Sequence, residues 1–288
     1  MKSIARKLMS VVIAASFCFG LASCSKTPAA SSATSEATTV AESKASESSA
    51  SSEESKAAVK TITAGKLTMA TNAQFKPYEY HEGDKIIGID AEIAQAIAEK
   101  LGLELVIEDV PFDSIIAGVQ SGKYDIGCAG MTVTEDRKKS VNFTNSYATG
   151  IQSIIVKEDS PIKSIDDLIK GKYKVGVQSG TTGDLYMSEE DGGVGESRMD
   201  RYNSGNDAVI ALVAGKIDAV CIDNEPAKSL VAANPGLKIL ETPFTEEQYA
   251  IAVGKSNEDL LNAINKALEE LTADGTIAKI IEKYIPSK

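Results

Sequence analysis

Ile115-Ile116-Ala117-Gly118-Val119-Gln120-Ser121-Gly122-Lys123-Tyr124-Asp125-Ile126-Gly127-Cys128 reads as an apolar helix, a Gly-Lys turn, an aspartate and a short buried strand. The same plan returns at Ala208-Val209-Ile210-Ala211-Leu212-Val213-Ala214-Gly215-Lys216-Ile217-Asp218-Ala219-Val220-Cys221. The glycine suits the left-handed residue that ends a helix, and the lysine complements the helix dipole. Two copies of one module predict two lobes. Upstream, Lys66–Thr71 reads as a strand, Asp90–Leu101 carries apolar residues at helical spacing closed by Gly102, and Leu103–Val110 is again strand-like. Strand, helix and strand in alternation predict an α/β fold, each lobe a mostly parallel sheet with flanking helices. The apolar runs Ser153–Val156 and Ala250–Val253 flank the second copy. Read as crossovers they form a two-strand hinge, with residues 61–153 plus 250–288 as lobe 1 and 154–249 as lobe 2.

The chain of 288 residues opens MKSIARKLMS VVIAASFCFG LASC, with Lys2, Arg6 and Lys7 ahead of a short apolar run. That is a signal-peptide layout over residues 1–23. Leu21-Ala22-Ser23-Cys24 resembles the bacterial lipobox, so Cys24 is expected to be acylated and to hold the protein at the outer face of the cell membrane. Residues 24–60 are rich in Ser, Ala, Thr and Glu without an aromatic residue, a composition that predicts a disordered tether. The formal net charge of −11 argues against nucleic acid, which needs a basic face. Cys18 falls in the signal and Cys24 is the lipid site, which leaves Cys128 and Cys221, each in an apolar run and expected to be a buried free thiol. No spacing suggests a metal or cofactor.

The blocks Gly88-Ile89-Asp90-Ala91-Glu92-Ile93, Ala70–Tyr80, Ala129–Lys139 and Val175–Gly183, in that setting, resemble the bacterial extracellular solute-binding proteins of family three, the polar amino acid binders of ATP-binding-cassette importers. Ala91 is smaller than the aliphatic residue usual in the first block. The resemblance implies a two-lobed, periplasmic-binding-protein-like (type II) fold, an amino acid ligand, a permease partner, a monomer and no catalysis.

It also implies a site. A zwitterion needs an anion clamp and a cation clamp at fixed separation, and arginine is the best carboxylate fork. Arg137 is expected to take the carboxylate, helped by Thr182; Asp223 is expected to take the ammonium, with the carbonyl near Gly130 and the Thr132 hydroxyl completing the cradle. Thr181 is expected at the helix start beside Thr182, as a cap or a ligand contact. Phe75 and Phe112 are the expected aromatic walls, with Tyr78 as packing. Family members that bind basic amino acids commonly place an acid where Asn72 stands; with Asn72 and Gln178 both neutral, and Ile222 as a further selectivity position, a neutral ligand such as glutamine or cystine is expected. The competing functions are a dehydratase-like enzyme on the same scaffold and a ligand sensor acting through a separate receptor. The single histidine, His81, sits in a polar turn and offers no acid–base centre for an enzyme.

Overall fold

The first expected strand is β1 (Lys66–Thr71), in which Leu67, Met69 and Ala70 are fully buried. The computed structural model describes residues 59–241 and 245–287, so the signal, Cys24 and nearly all of the tether lie outside the described residues. After β1, the strands β2 (Gln74–Phe75), β3 (Glu79–Glu82) and β4 (Lys85–Ile87) pair antiparallel into a small sheet of their own. Helix α1 (Ile89–Leu101) buries Ile89, Ile93 and Ile97 in one row, because residues four apart share a helix face. Gly88 precedes it at φ 130, and a Cβ there would lie 2.1 Å from the Tyr78 carbonyl oxygen. Only glycine lets the chain enter α1 so close to the neighbouring backbone.

The first lobe continues through β5 (Glu104–Asp109), α2 (Ile115–Gln120), β6 (Ile126–Gly127), α3 (Glu135–Ser140) and β7 (Val141–Phe143). The chain then crosses into β8 (Ala148–Lys157), α4 (Ile165–Lys170), β9 (Val175–Gln178), α5 (Thr182–Ser188) and β10 (Met199–Tyr202). The second lobe is completed by α6 (Gly205–Val213), β11 (Ala219–Asp223), α7 (Asn224–Ala233) and β12 (Leu237–Ile239). The return runs through β13 (Thr245–Tyr249) and β14 (Ala252–Gly254) to α8 (Glu258–Ala273) and α9 (Thr276–Tyr284).

The sheet of lobe 1 has the order β5-β1-β6-β14-β7 and that of lobe 2 β10-β9-β11-β8-β12, with β13 paired to β8. The pairs β1 with β5 and β6, and β9 with β10 and β11, are parallel, as helical crossovers require. The returning strand β14 and the crossing strand β8 pair antiparallel with their neighbours, so the sheets as wholes are mixed around parallel β-α-β cores. The apolar run Ser153–Val156 is the interior of β8, which already starts at Ala148. Tyr249 pairs with Ala148 in the second sheet, whereas Ala252 pairs with Gly127 in the first. The chain therefore leaves lobe 1 ahead of Ala148 and re-enters it between Tyr249 and Ala252.

The repeated aspartate has a structural job in both copies. Asp125 accepts the Thr68 N–H at the start of β1 (2.8 Å), and Asp218 accepts the Lys174 N–H just ahead of β9 (2.8 Å). Each thus ties the first strand of its parallel core to the turn beside it. The glycines before them, Gly122 and Gly215, have φ of 74 and 71, the left-handed conformation expected at a helix end. Cys128 and Cys221 are buried free thiols, and burial pushes both well above the ordinary thiol range.

Candidate functional site

The loops that follow the carboxyl ends of β1, β6, β9 and the end of β11 meet between the two lobes, the usual location of a ligand crevice in such sheets. Asn72, Phe75, Phe112, Gly130, Thr132 and Arg137 line one cavity from lobe 1, and Gln178, Thr181, Thr182 and Asp223 line it from lobe 2. The cleft between these walls holds about 310 Å³ of non-atom space.

Arg137 lies in the short helix α3, with its backbone N–H on the Thr134 side chain (3.1 Å). Its side chain folds inward until the residue is 9 % exposed, over the face of Phe112 at 5.4 Å. Nη1 donates to the Thr132 carbonyl (2.6 Å) and Nη2 reaches across the cleft to the Gly180 carbonyl (3.0 Å). A guanidinium has five N–H donors, so the fork keeps capacity for a carboxylate. Burial lowers its affinity for its proton, while Glu247 and Asp223 act the other way. Phe75 crosses Gly130, where a Cβ would lie 2.6 Å from the ring, so the ring covers bare backbone. Tyr78 stands behind it, 5.8 Å from Phe75 and edge-on to Tyr249 at 5.2 Å, as support rather than lining.

In lobe 2, Thr181 caps α5, its hydroxyl accepting the Asp184 N–H (3.3 Å). Thr182 Oγ1 accepts from Gln152 Nε2 (3.3 Å). Asp223 ends β11 and accepts from Gln152 Nε2 (2.9 Å) and from the Tyr249 hydroxyl. Burial first and then Glu247 push its carboxyl up to about 7, against the pull of those two donors. Glu247 in turn accepts from Gln152 (3.1 Å) and from the Thr132 hydroxyl (2.9 Å), which links the return strand to both lobes. Asn72 and Gln178 meet directly across the cleft, Gln178 Nε2 donating to Asn72 Oδ1 at 2.8 Å.

Ile222 does not line the cavity. Successive strand residues face opposite sides, so with Asp223 turned to the cleft Ile222 packs against Gly205 and the core. Sequence reasoning passed over Glu79, Asp90, Gln152, Glu247 and Tyr249. Glu79 lines the cavity, has no exposed surface, and neither carboxylate oxygen has a donor among the described residues. Behind it, Asp90 accepts the Gly130 N–H (2.6 Å) and the Tyr147 hydroxyl (2.8 Å) on Oδ2, while Oδ1 has no donor. An acid set between Tyr78 and Tyr80, and a glutamine inside the apolar run Ile151–Ile155, are the signals that were available.

Two mixed α/β lobes joined by crossing strands and closing on a polar cavity define a type II periplasmic-binding-protein fold. Solved structures carry the same fold: an ancestral arginine-binding protein bound to arginine superposes with a TM-score of 0.72 at 42 % identity, covering 77 % of this chain and 98 % of that one. The same ancestral class bound to glutamine gives 0.72 at 41 % identity, covering 78 % and 100 %. The chain belongs to the bacterial extracellular solute-binding proteins, family 3, whose model matches residues 67–287. Among curated proteins, the arginine-binding extracellular protein of Bacillus subtilis is 38 % identical over 76 % of this chain and 86 % of its own length. The L-cystine-binding protein of Escherichia coli K12 is 32 % identical over 76 % and 82 %. This protein is accordingly an extracytoplasmic solute-binding protein and not an enzyme.

Proposed function

We infer that the cavity captures a free amino acid for an ATP-binding-cassette importer, and that arginine and glutamine are its ligands, arginine the better held. Arg137 and Thr182 take the α-carboxylate, Asp223 and the backbone at Gly130 take the α-ammonium, and Phe75 and Phe112 enclose the aliphatic stem between them. Thr132 and Thr181 hold the two clamps in register. The observation that carries the reading is Glu79, a buried cavity-lining carboxylate without a donor among the described residues. Leaving such a group unpaired costs several kcal/mol by general estimates, roughly 3–5 for a buried charge, and a guanidinium or amide head supplies the missing N–H donors. Asn72 and Gln178 on their own favour a neutral side chain; Glu79 adds an acid that admits a cationic one. The arginine-binding relative, and the ancestral arginine-binding proteins seen one with arginine and one with glutamine, support the pair.

Titration calorimetry with arginine, glutamine, cystine and glutamate tests this. Arginine and glutamine are expected to bind and glutamate to fail, because a second carboxylate would face Glu79. Preference for glutamate, or no binding of any amino acid, would sink the reading. Acylation at Cys24, a single tethered monomer and recognition of the ligand-closed form by the permease complete the proposal.

A further inference from the structure

We propose that Glu79 and Asp90 share one proton, and that this proton decides the charge of the ligand: it stays when a neutral amide head enters and leaves to solvent when a guanidinium enters. The inference rests on the reading that the ligand side chain faces Glu79. Its basis is geometric. Both carboxyls are fully buried and lie within hydrogen-bonding reach of each other. As two anions they would repel, with both oxygens of Glu79 and Oδ1 of Asp90 lacking donors. A single proton between them turns that repulsion into an O–H···O bond and supplies the missing donor.

The two sites are not equivalent. Gly130 N–H and the Tyr147 hydroxyl both point at Asp90, on α1, and stabilise it as an anion. Glu79, on β3, receives no such donor and so holds the proton. The ionisable groups that face it are Asp90, Asp223 and Asp109, all acidic, together with the neutral Tyr78, Tyr147 and Cys128. The directions agree: burial and the neighbouring acids push Glu79 well above the ordinary range, while burial raises Asp90 to about 6 against its hydrogen bonds. An entering guanidinium reverses the balance, since a cation beside Glu79 favours its anion. A glutamine amide does not, and its N–H can donate to the Glu79 oxygen that does not bond Asp90.

The consequence is a difference in proton linkage between two ligands of one pocket. The ammonium clamp at Asp223 also loses protons on binding, but equally for both ligands, so glutamine is the internal control. Calorimetry of the full chain at pH 6, in two buffers of different ionisation enthalpy, is expected to show arginine releasing about one proton more than glutamine. Arginine affinity should also rise about tenfold per pH unit relative to glutamine while Glu79 is protonated, then level off. In Glu79→Gln the difference in proton release should vanish and arginine affinity fall about a hundredfold or more, with an unchanged circular dichroism spectrum and a cooperative urea transition as evidence that the fold is intact. Equal proton release for the two ligands in the wild-type protein overturns the shared proton and leaves the arginine reading standing. A difference that persists in Glu79→Gln overturns it too, by placing the proton elsewhere. Failure of arginine to bind at all overturns both.

Discussion

Arg137 commits its guanidinium to carbonyls in both lobes, Thr132 on one side and Gly180 on the other. In the proposed complex the same fork holds the carboxylate that every amino acid shares, so its loss should weaken ligands without changing their order. Arg137→Ala is expected to cost about 2–5 kcal/mol for arginine and glutamine alike. Arg137→Lys should restore only part, because a point charge cannot make paired hydrogen bonds. Calorimetry that found one ligand spared would contradict the role. Nothing in the run Glu135-Asp136-Arg137-Lys138-Lys139 separates its three cations by chemistry. The family-like block singled out Arg137, and the fold shows the physical difference: Lys138 and Lys139 have side chains 48 % and 75 % exposed and pair with Glu135 and Asp136, while Arg137 turns inward. Glu79 was legible only as an acid among aromatics; its missing donors are a property of the packed site.

The elements that could be read in advance are those whose period repeats. The boundaries of β1 agree with the sequence reading, and α1 starts one residue earlier than expected, because four-residue spacing and a terminal glycine are local signals. The β2–β4 sheet was not legible, since strands of two to four residues carry no usable period. Gly88 joins that sheet to α1. Its φ of 130, and a Tyr78 carbonyl oxygen 2.1 Å from where a Cβ would stand, leave no room for a side chain. Gly88→Ala is expected to destabilise the fold by roughly 1–3 kcal/mol or more, from strain and steric displacement together. Urea unfolding should show this as a lower midpoint at an unchanged slope. A midpoint within error of the wild type would mean that β3 and α1 can separate at no cost.

At the scale of the whole molecule, β8 and β13 run beside each other as the paired connection between lobes, and Glu247 on β13 touches groups from both. The polar partners of this connection are thus drawn from both lobes. The anchor proposed at Cys24 acts at this scale alone. Cys24→Ala is expected to move the protein from the membrane fraction to the soluble fraction, with amino acid affinity unchanged. Retention of the variant in the membrane fraction would show that something other than an acyl chain holds it.

The sequence by itself determined the α/β alternation, the paired modules with their left-handed glycines, and the residue types able to clamp a zwitterion, because each depends on neighbours within a few residues. The tertiary structure alone decided which way the crossing strands pair, why Asp125 and Asp218 recur, that Ile222 faces the core, and that Glu79 and Asp90 lie together without enough donors. Those outcomes depend on groups brought together from distant segments, Glu79 beside Asp90 and Gln152 beside Asp223 and Glu247, and burial turns each such meeting into a matter of charge and hydrogen bonding that no local pattern encodes.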